Sequence, residues 1–276
     1  MNRVCSTAFG RRLFSTPTAK HTTDEKEYRR QLGEGRADFL DDFGPKGNVD
    51  GERVLDLGCG LGAKTFAVAR SGALEVIGID TDDEKIRRAT EAARDLGGSA
   101  VRFEAQCGSS LRFDSGCFDV VLLLDVIEHL PDPGAVLAEC ARVLRDGGRL
   151  LISFPPYLSP WGAHLFTYVP IPWVHLLFPE FEILELWREK HHAALESGEA
   201  WCSARRARAI IEANTTAALW DCNGMTIEWF LDLVDETPLE LGPVRYKVLG
   251  NLEGLVKTMP RLREYLVTRV NAVLDA

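Results

Sequence analysis

Residues 53 to 62 read Arg53-Val54-Leu55-Asp56-Leu57-Gly58-Cys59-Gly60-Leu61-Gly62, and their order decides how the rest of the chain is built. An aliphatic run reaches Asp56 and Leu57, three glycines arrive at alternate positions, and Ala63-Lys64-Thr65-Phe66-Ala67-Val68-Ala69 follows with the composition of a helix. Strand, tight turn and helix are expected in that order. Glycines at such a turn let the backbone approach a ligand closely, and the helix start offers N–H groups to a polar or anionic atom. The turn is expected to cradle a ligand.

Spacing separates two classes of ligand. A dinucleotide-binding turn has G-x-G-x-x-G, whereas these glycines run G-x-G-x-G with an acid two positions before the first. Residues 54 to 62 resemble the first motif of class I S-adenosylmethionine (SAM) methyltransferases. The resemblance implies that Asp56, Gly58, Cys59 and Gly60 hold the amino-acid end of SAM. It also implies an α/β fold: a doubly wound, seven-stranded, mostly parallel sheet of the Rossmann-like methyltransferase type, with a helical lid inserted after the fifth strand. An ordinary βα turn with glycines for sterics alone is the plainer alternative.

Working outward, Glu75-Val76-Ile77-Gly78-Ile79-Asp80 reads as a buried strand ending in an acid. In nucleotide-like α/β folds an acid there accepts hydrogen bonds from ribose hydroxyls, so Asp80, with Thr81 beside it, is a cofactor candidate. Thr81-Asp82-Asp83-Glu84 then opens a helix to residue 96, stopped by Gly97-Gly98. Residues 100 to 107 alternate as a third strand should. Related methyltransferases place an acid just after it for the adenine amino group, but here the loop reads Gln106-Cys107-Gly108-Ser109-Ser110. Adenine contacts are therefore expected from the backbone around Cys107 and Gly108 or from the Ser109 hydroxyl.

Phe118 to Asp125 is an apolar run bounded by acids, the mark of a central parallel strand. Asp125-Val126-Ile127-Glu128-His129 at its exit resembles the strand-four exit of the same family. It implies Asp125 beside SAM and Glu128 and His129 as catalytic candidates. The spacing also resembles the E-x-x-E-H set that binds magnesium in ubiquinone-pathway O-methyltransferases; a metal-free site is expected, with Asp125, Glu128 and His129 as the metal alternative. Asp132 and Pro133 start a helix whose expected stop is Gly147-Gly148, and Arg149 to Pro155 is the expected fifth strand.

The segment from 157 to 179 is dense in aromatics, prolines and histidines. It leaves the carboxyl edge of a parallel sheet, where ligands bind in such folds. Residues 158 to 222, with helices at about 180–196 and 199–218, are expected to form a lid binding the acceptor through Tyr157, Trp161, His164, Tyr168, Trp173 and His175. His164 is also a candidate base. Packing or homodimerisation through this segment is the alternative, since aromatics mark interfaces too. Residues 225–236 read as a further helix, with strands at 239–249 and 266–274.

Upstream, Tyr28, Leu32, Phe39, Leu40 and Phe43 can line one face of helical segments ending at Gly44-Pro45, as a cover over the ligand or as packing. Residues 1 to 23 carry Arg3, Arg11, Arg12 and Lys20 and no acid. A basic, disordered tail is expected there, an organellar transit segment being the alternative. The expected core is then 24–157 with 223–276.

The net charge of -9 repels phosphate backbones, so nucleic acid is not the expected partner. Seven cysteines without a C-x-x-C pair give neither a zinc spacing nor a disulfide framework, and no run of 18 apolar residues suggests membrane insertion. A cytoplasmic enzyme is expected, methylating a small or medium-sized, partly apolar acceptor, at oxygen rather than nitrogen or carbon. A SAM-dependent cyclase or lyase, or a non-catalytic SAM-binding protein, is the alternative.

Overall fold

The computed structural model describes residues 32, 35, 37–97, 100–162, 171–179, 181–185 and 222–276. They fall into two compact units. One takes the described residues up to 154 together with 227–247 and 269–276, and the other takes those within 155–226 and 248–268.

The first unit is built on one sheet. Its strands are β1 (Arg53–Leu57), β2 (Glu75–Asp80), β3 (Val101–Ala105), β4 (Phe118–Leu124), β5 (Leu144–Phe154), β6 (Glu240–Val248) and β7 (Val267–Asp275), in the order β3-β2-β1-β4-β5-β7-β6. β1 to β5 pair in parallel, and β7 runs antiparallel to β5. The sequence order reverses between β1 and β4, the place where open α/β sheets bind ligands at the carboxyl ends of their strands.

Helices α1 (Ala63–Arg70), α2 (Asp83–Leu96), α3 (Pro133–Val143) and α5 (Ile227–Asp235) belong to this unit. Their ends follow local chemistry. The Asp82 carboxylate accepts from the amides of Glu84 and Lys85, and Gly97 closes α2 in the left-handed conformation. Asp132 caps α3 with Pro133 at its first position.

β4 is covered on both faces, as its unbroken apolar run demands: Val120 to Leu123 are fully buried. On one face Val54, Val76, Val120, Leu122 and Leu151 pack with Leu40 and Phe43 of a kinked 3-10 segment, Asp38–Gly47. That segment is thus part of the core, the packing option of the two considered. Truncating Leu122 to Ala would cost about 2–5 kcal/mol by opening a cavity there. At the opposite end of the sheet from the glycine turn, Arg149 donates to the carbonyls of Lys46 and Asn48 and to Glu52, tying this segment to β5.

One boundary differs from the sequence reading. Gly147-Gly148 does not stop α3, which ends at Val143; β5 begins at Leu144 and carries both glycines inside it. The pairing jumps from Leu144 opposite Phe118 to Arg149 opposite Val120, so residues 145–148 bulge, and Gly147 takes a φ of 73°.

The second unit holds the short helices α4 (Val174–Leu177), α6 (Glu253–Thr258) and α7 (Arg263–Leu266). Tyr157 N donates to Met225 O, the Tyr157 and His175 rings lie 4.9 Å apart, and Trp173 Nε1 donates to Tyr265 O at 3.1 Å. His164 and Tyr168 lie outside the described residues, as does most of the expected lid. No helix among the described residues is long and apolar enough to cross a membrane.

Candidate active site

The turn after β1 is shaped by its three glycines, each for its own reason. Gly58, Gly60 and Gly62 have φ of 76°, 57° and 86°, a region L side chains avoid. A Cβ on Gly58 would lie 2.4 Å from Val126 Cγ2, and one on Gly62 would lie 2.6 Å from the Phe103 ring. A Cβ on Gly60 would meet nothing within 4 Å, so that side of the turn faces open space. Several of the turn's amides are engaged within the protein: Gly58 and Cys59 donate to Ile79 O, and Gly62 donates to Cys59 O.

Asp80, at the end of β2, faces this turn. Its Oδ2 accepts from Gly60 N and its Oδ1 from Asp82 N, both at 3.0 Å. Each carboxylate oxygen retains a second lone pair, so Asp80 is fixed in place and still able to accept from a diol. Asp56 sits deeper, 2% exposed, and its Oδ2 accepts from Thr65 Oγ1 at 2.6 Å. It braces β1 against α1. Burial pushes its carboxyl above the ordinary range, against the pull of Thr65 and Lys64. Burial likewise raises the Cys59 thiol.

The loop after β3 brings Cys107, Gly108 and Ser109 to the same edge of the sheet. Cys107 Sγ and Ser109 Oγ lie 3.2 Å apart, and that hydrogen bond lowers the exposed thiol's pKa. A Cβ on Gly108 would come within 3.1 Å of Leu57. Gln106 turns inward: its amide donates to Glu104 and its oxygen accepts from Arg112 N, so it holds the loop.

Asp125, just past β4, has a φ of 60°, a strained setting for a residue other than glycine. Its carboxylate is gripped from both sides. Lys64 Nζ donates to Oδ2 at 2.9 Å, and Arg269 Nη1 donates to Oδ1 at 2.6 Å and to Ser153 Oγ at 3.0 Å. Burial alone would raise the Asp125 pKa, but the two cations hold it below the usual carboxylate value. A 3-10 turn, Ile127–His129, follows. Glu128 is fully buried there, and His129 Nε2 lies 3.9 Å from its Oε1 with the His129 side chain 35% exposed.

The fold thus brings Asp56, Gly58, Cys59, Gly60, Asp80, Cys107, Gly108, Ser109, Asp125, Glu128 and His129 to the carboxyl edge of one sheet, within one unit; Thr81 is exposed just beyond β2. Tyr157, Trp161, Trp173 and His175 belong to the second unit. His175 is partly buried against Tyr157, and burial lowers its pKa. The sequence reading missed Lys64 and Arg269. Lys64 carried a signal, as a cation one position inside a helix that starts at the ligand turn; Arg269 carried none, because only the pairing of β7 beside β5 brings it there.

A seven-stranded sheet in this order, with an acid-flanked glycine turn on β1 and an acid ending β2, has the class I SAM-dependent methyltransferase fold. Residues 55–152 match the family model of the methyltransferase domain.

The chain is 34% identical over 131 residues to the ubiquinone biosynthesis O-methyltransferase of Hahella chejuensis, covering 47% of this chain and 53% of that protein. To the 2-methyl-6-phytyl-1,4-hydroquinone methyltransferase of Synechocystis sp. it is 28% identical over 193 residues, covering 68% and 56%. The match to the Hahella protein thus spans about half of that relative's length. Among solved structures, an S-adenosylmethionine-dependent methyltransferase from Mesorhizobium loti superposes with a TM-score of 0.54 at 15% identity, covering 88% of this chain and 99% of that one. Geranyl diphosphate C-methyltransferase from Streptomyces coelicolor A3(2) gives 0.56 at 16%, covering 87% and 74%. At these identities the structural likeness speaks to the fold.

Proposed function

We propose that the chain binds SAM at the β1–β2 edge and transfers its methyl group to a small or medium-sized, partly apolar acceptor, at a hydroxyl oxygen. The observation carrying this reading is Asp80: an acid held by two backbone amides at 3.0 Å, with acceptor capacity left over, beside the open Gly60 backbone. A ribose diol suits that carboxylate, and the open space over Gly60 suits the amino-acid end of the same molecule. The backbone of Cys107 and Gly108 and the Ser109 hydroxyl are the groups offered to adenine. When bound, SAM supplies an electrophilic methyl group on a sulfonium.

The protein's own contribution is position and proton removal. His129, half-exposed beside the buried Glu128, is placed to take the acceptor's hydroxyl proton. Asp125 is unsuited to that task, since Lys64 and Arg269 stabilise its charged form and weaken it as a base. The names of the ubiquinone and hydroquinone methyltransferases that the chain resembles support an acceptor of the phenol class. Residues 158–222 are assigned to acceptor binding.

Calorimetry with SAM and S-adenosylhomocysteine tests the reading. Both bind the wild type, and Asp80→Ala weakens each by about 1.5–3 kcal/mol, roughly ten- to a hundredfold. Unchanged affinity in Asp80→Ala would remove the assignment.

A further inference from the structure

Resting on that reading, we propose that the methyl acceptor carries an oxyanion, a carboxylate or a phosphate. In this proposal the Nε–Nη2 edge of Arg269, with the remaining Nζ hydrogen of Lys64, receives it.

Arg269 has five N–H groups in a planar fork. Both hydrogens of Nη1 are engaged, by Asp125 Oδ1 and Ser153 Oγ. Among the described residues nothing accepts from Nε or Nη2, the edge that matches a carboxylate or phosphate in bidentate fashion. Lys64 is placed alike: Leu124 O at 3.2 Å and Asp125 Oδ2 at 2.9 Å take two of its three hydrogens.

Two cations therefore converge on a single carboxylate, and both remain reachable, with side chains 40% and 31% exposed. An ion pair serving stability alone needs one partner for Asp125. The second cation is better placed to hold another anion, its orientation already fixed by Asp125 and Ser153. Asp125 then acts as a positioning residue, aiming the guanidinium.

Place along the sheet assigns the anion to the acceptor. The cofactor candidates Asp56, Gly60 and Asp80 lie on or just after β1 and β2, whereas Ser153 and Arg269 lie on β5 and β7, across the order reversal; Lys64 on α1 reaches Asp125 between the two sides. Arg269 and Asn271 also project from one face of β7 by strand alternation, next to Ser153. The Asn271 side-chain oxygen is buried without a partner among the described residues. This short polar face interrupts strands whose other neighbours, Val270, Ala272 and Val273, are core.

Nuclear magnetic resonance of the arginine Nε–H group tests the proposal, with the Arg269 signal assigned by its loss in Arg269→Lys. The full chain is loaded with S-adenosylhomocysteine and titrated with benzoate, phenyl phosphate and, as the uncharged control, benzyl alcohol. The Arg269 signal is expected to move saturably with the anions only, and the tighter of the two identifies carboxylate or phosphate. Arg269→Met and Lys64→Met should each weaken the better anion by roughly ten- to a hundredfold.

Absence of any saturable movement in the wild type overturns the proposal without recourse to a variant that fails to fold. A second comparison identifies the anion's source. If S-adenosylhomocysteine moves the Arg269 signal, 5′-methylthioadenosine does not, and benzoate then has no further effect, the anion is the cofactor's own carboxylate and the acceptor assignment falls. Failure of S-adenosylhomocysteine to bind by calorimetry would instead sink the methyltransferase reading. An anion-dependent shift in the free protein would still mark Arg269 as an oxyanion site in that case.

Discussion

Asp56 and Asp125 are both carboxylates near the carboxyl ends of adjacent strands, yet their surroundings drive them in opposite directions. Asp56 is raised above its ordinary value of 3.8 by burial, so the folded state holds the proton more tightly than the unfolded chain. Its ionisation therefore erodes stability as pH rises from that value through the folded pKa. Asp125 is lowered by its two cations; its contribution is complete above 3.8 and is lost as pH falls through the folded pKa. Urea unfolding from about pH 2 to 7 separates them, because the Asp125 contribution is lost below 3.8 and the Asp56 penalty grows above it. Asp56→Asn should gain on the wild type as pH rises, and Asp125→Asn should lose ground. Parallel profiles for wild type and both variants would show that these environments are wrongly described.

The same ion pairs bear on metal chemistry. A divalent ion at Asp125, Glu128 and His129 would have to compete with Lys64 and Arg269 for the first of these ligands. Methyl transfer is accordingly expected to survive EDTA. His129→Ala should remove most of kcat and leave S-adenosylhomocysteine affinity nearly unchanged. Loss of activity on chelation with recovery on adding Mg²⁺ would reverse this assignment.

At the level of the element, the β1–turn–α1 unit is held by contacts that reach well beyond it. Gly58 is locked under Val126, which follows β4, whereas Gly60 has room above it. Gly58→Ala should thus cost more than Gly60→Ala, for which backbone strain alone of about 1–2 kcal/mol applies. Adding Val126→Ala should recover part of the difference. Thermal unfolding of the three variants checks this, and equal losses at positions 58 and 60 would mean that the clash is relieved elsewhere.

This unit was legible because its signals are local: an acid, three glycines and a helix within a dozen residues. The Asp82 and Asp132 caps were legible for the same reason. Gly147-Gly148 was misread because glycine serves both as a helix stop and in a strand bulge, and only the pairing of β5 with β4 distinguishes the two. Lys64 and Arg269 meet at Asp125 through contacts spanning 61 and 144 residues of chain, beyond the reach of any periodicity.

For the whole molecule, all the proposed cofactor residues lie in the sheet-bearing unit. Replacing 158–222 with a short linker should therefore abolish turnover and retain S-adenosylhomocysteine binding, with folding checked by circular dichroism. A folded linker variant unable to bind would place part of the cofactor site within that segment.

The antiparallel strand β7 has a consequence for biosynthesis. It is wedged between β5 and β6, so β6, although made earlier, has no neighbour to join until β7 emerges from the ribosome. The five parallel strands can assemble ahead of it, through connections that each bridge only a few tens of residues. The last insertion links distant parts of the chain and is the slow kind of step. Arg269 arrives with that strand. A nascent chain thus completes its sheet and its pair of cations in the same event, and a partly made protein holds Asp125 with Lys64 alone.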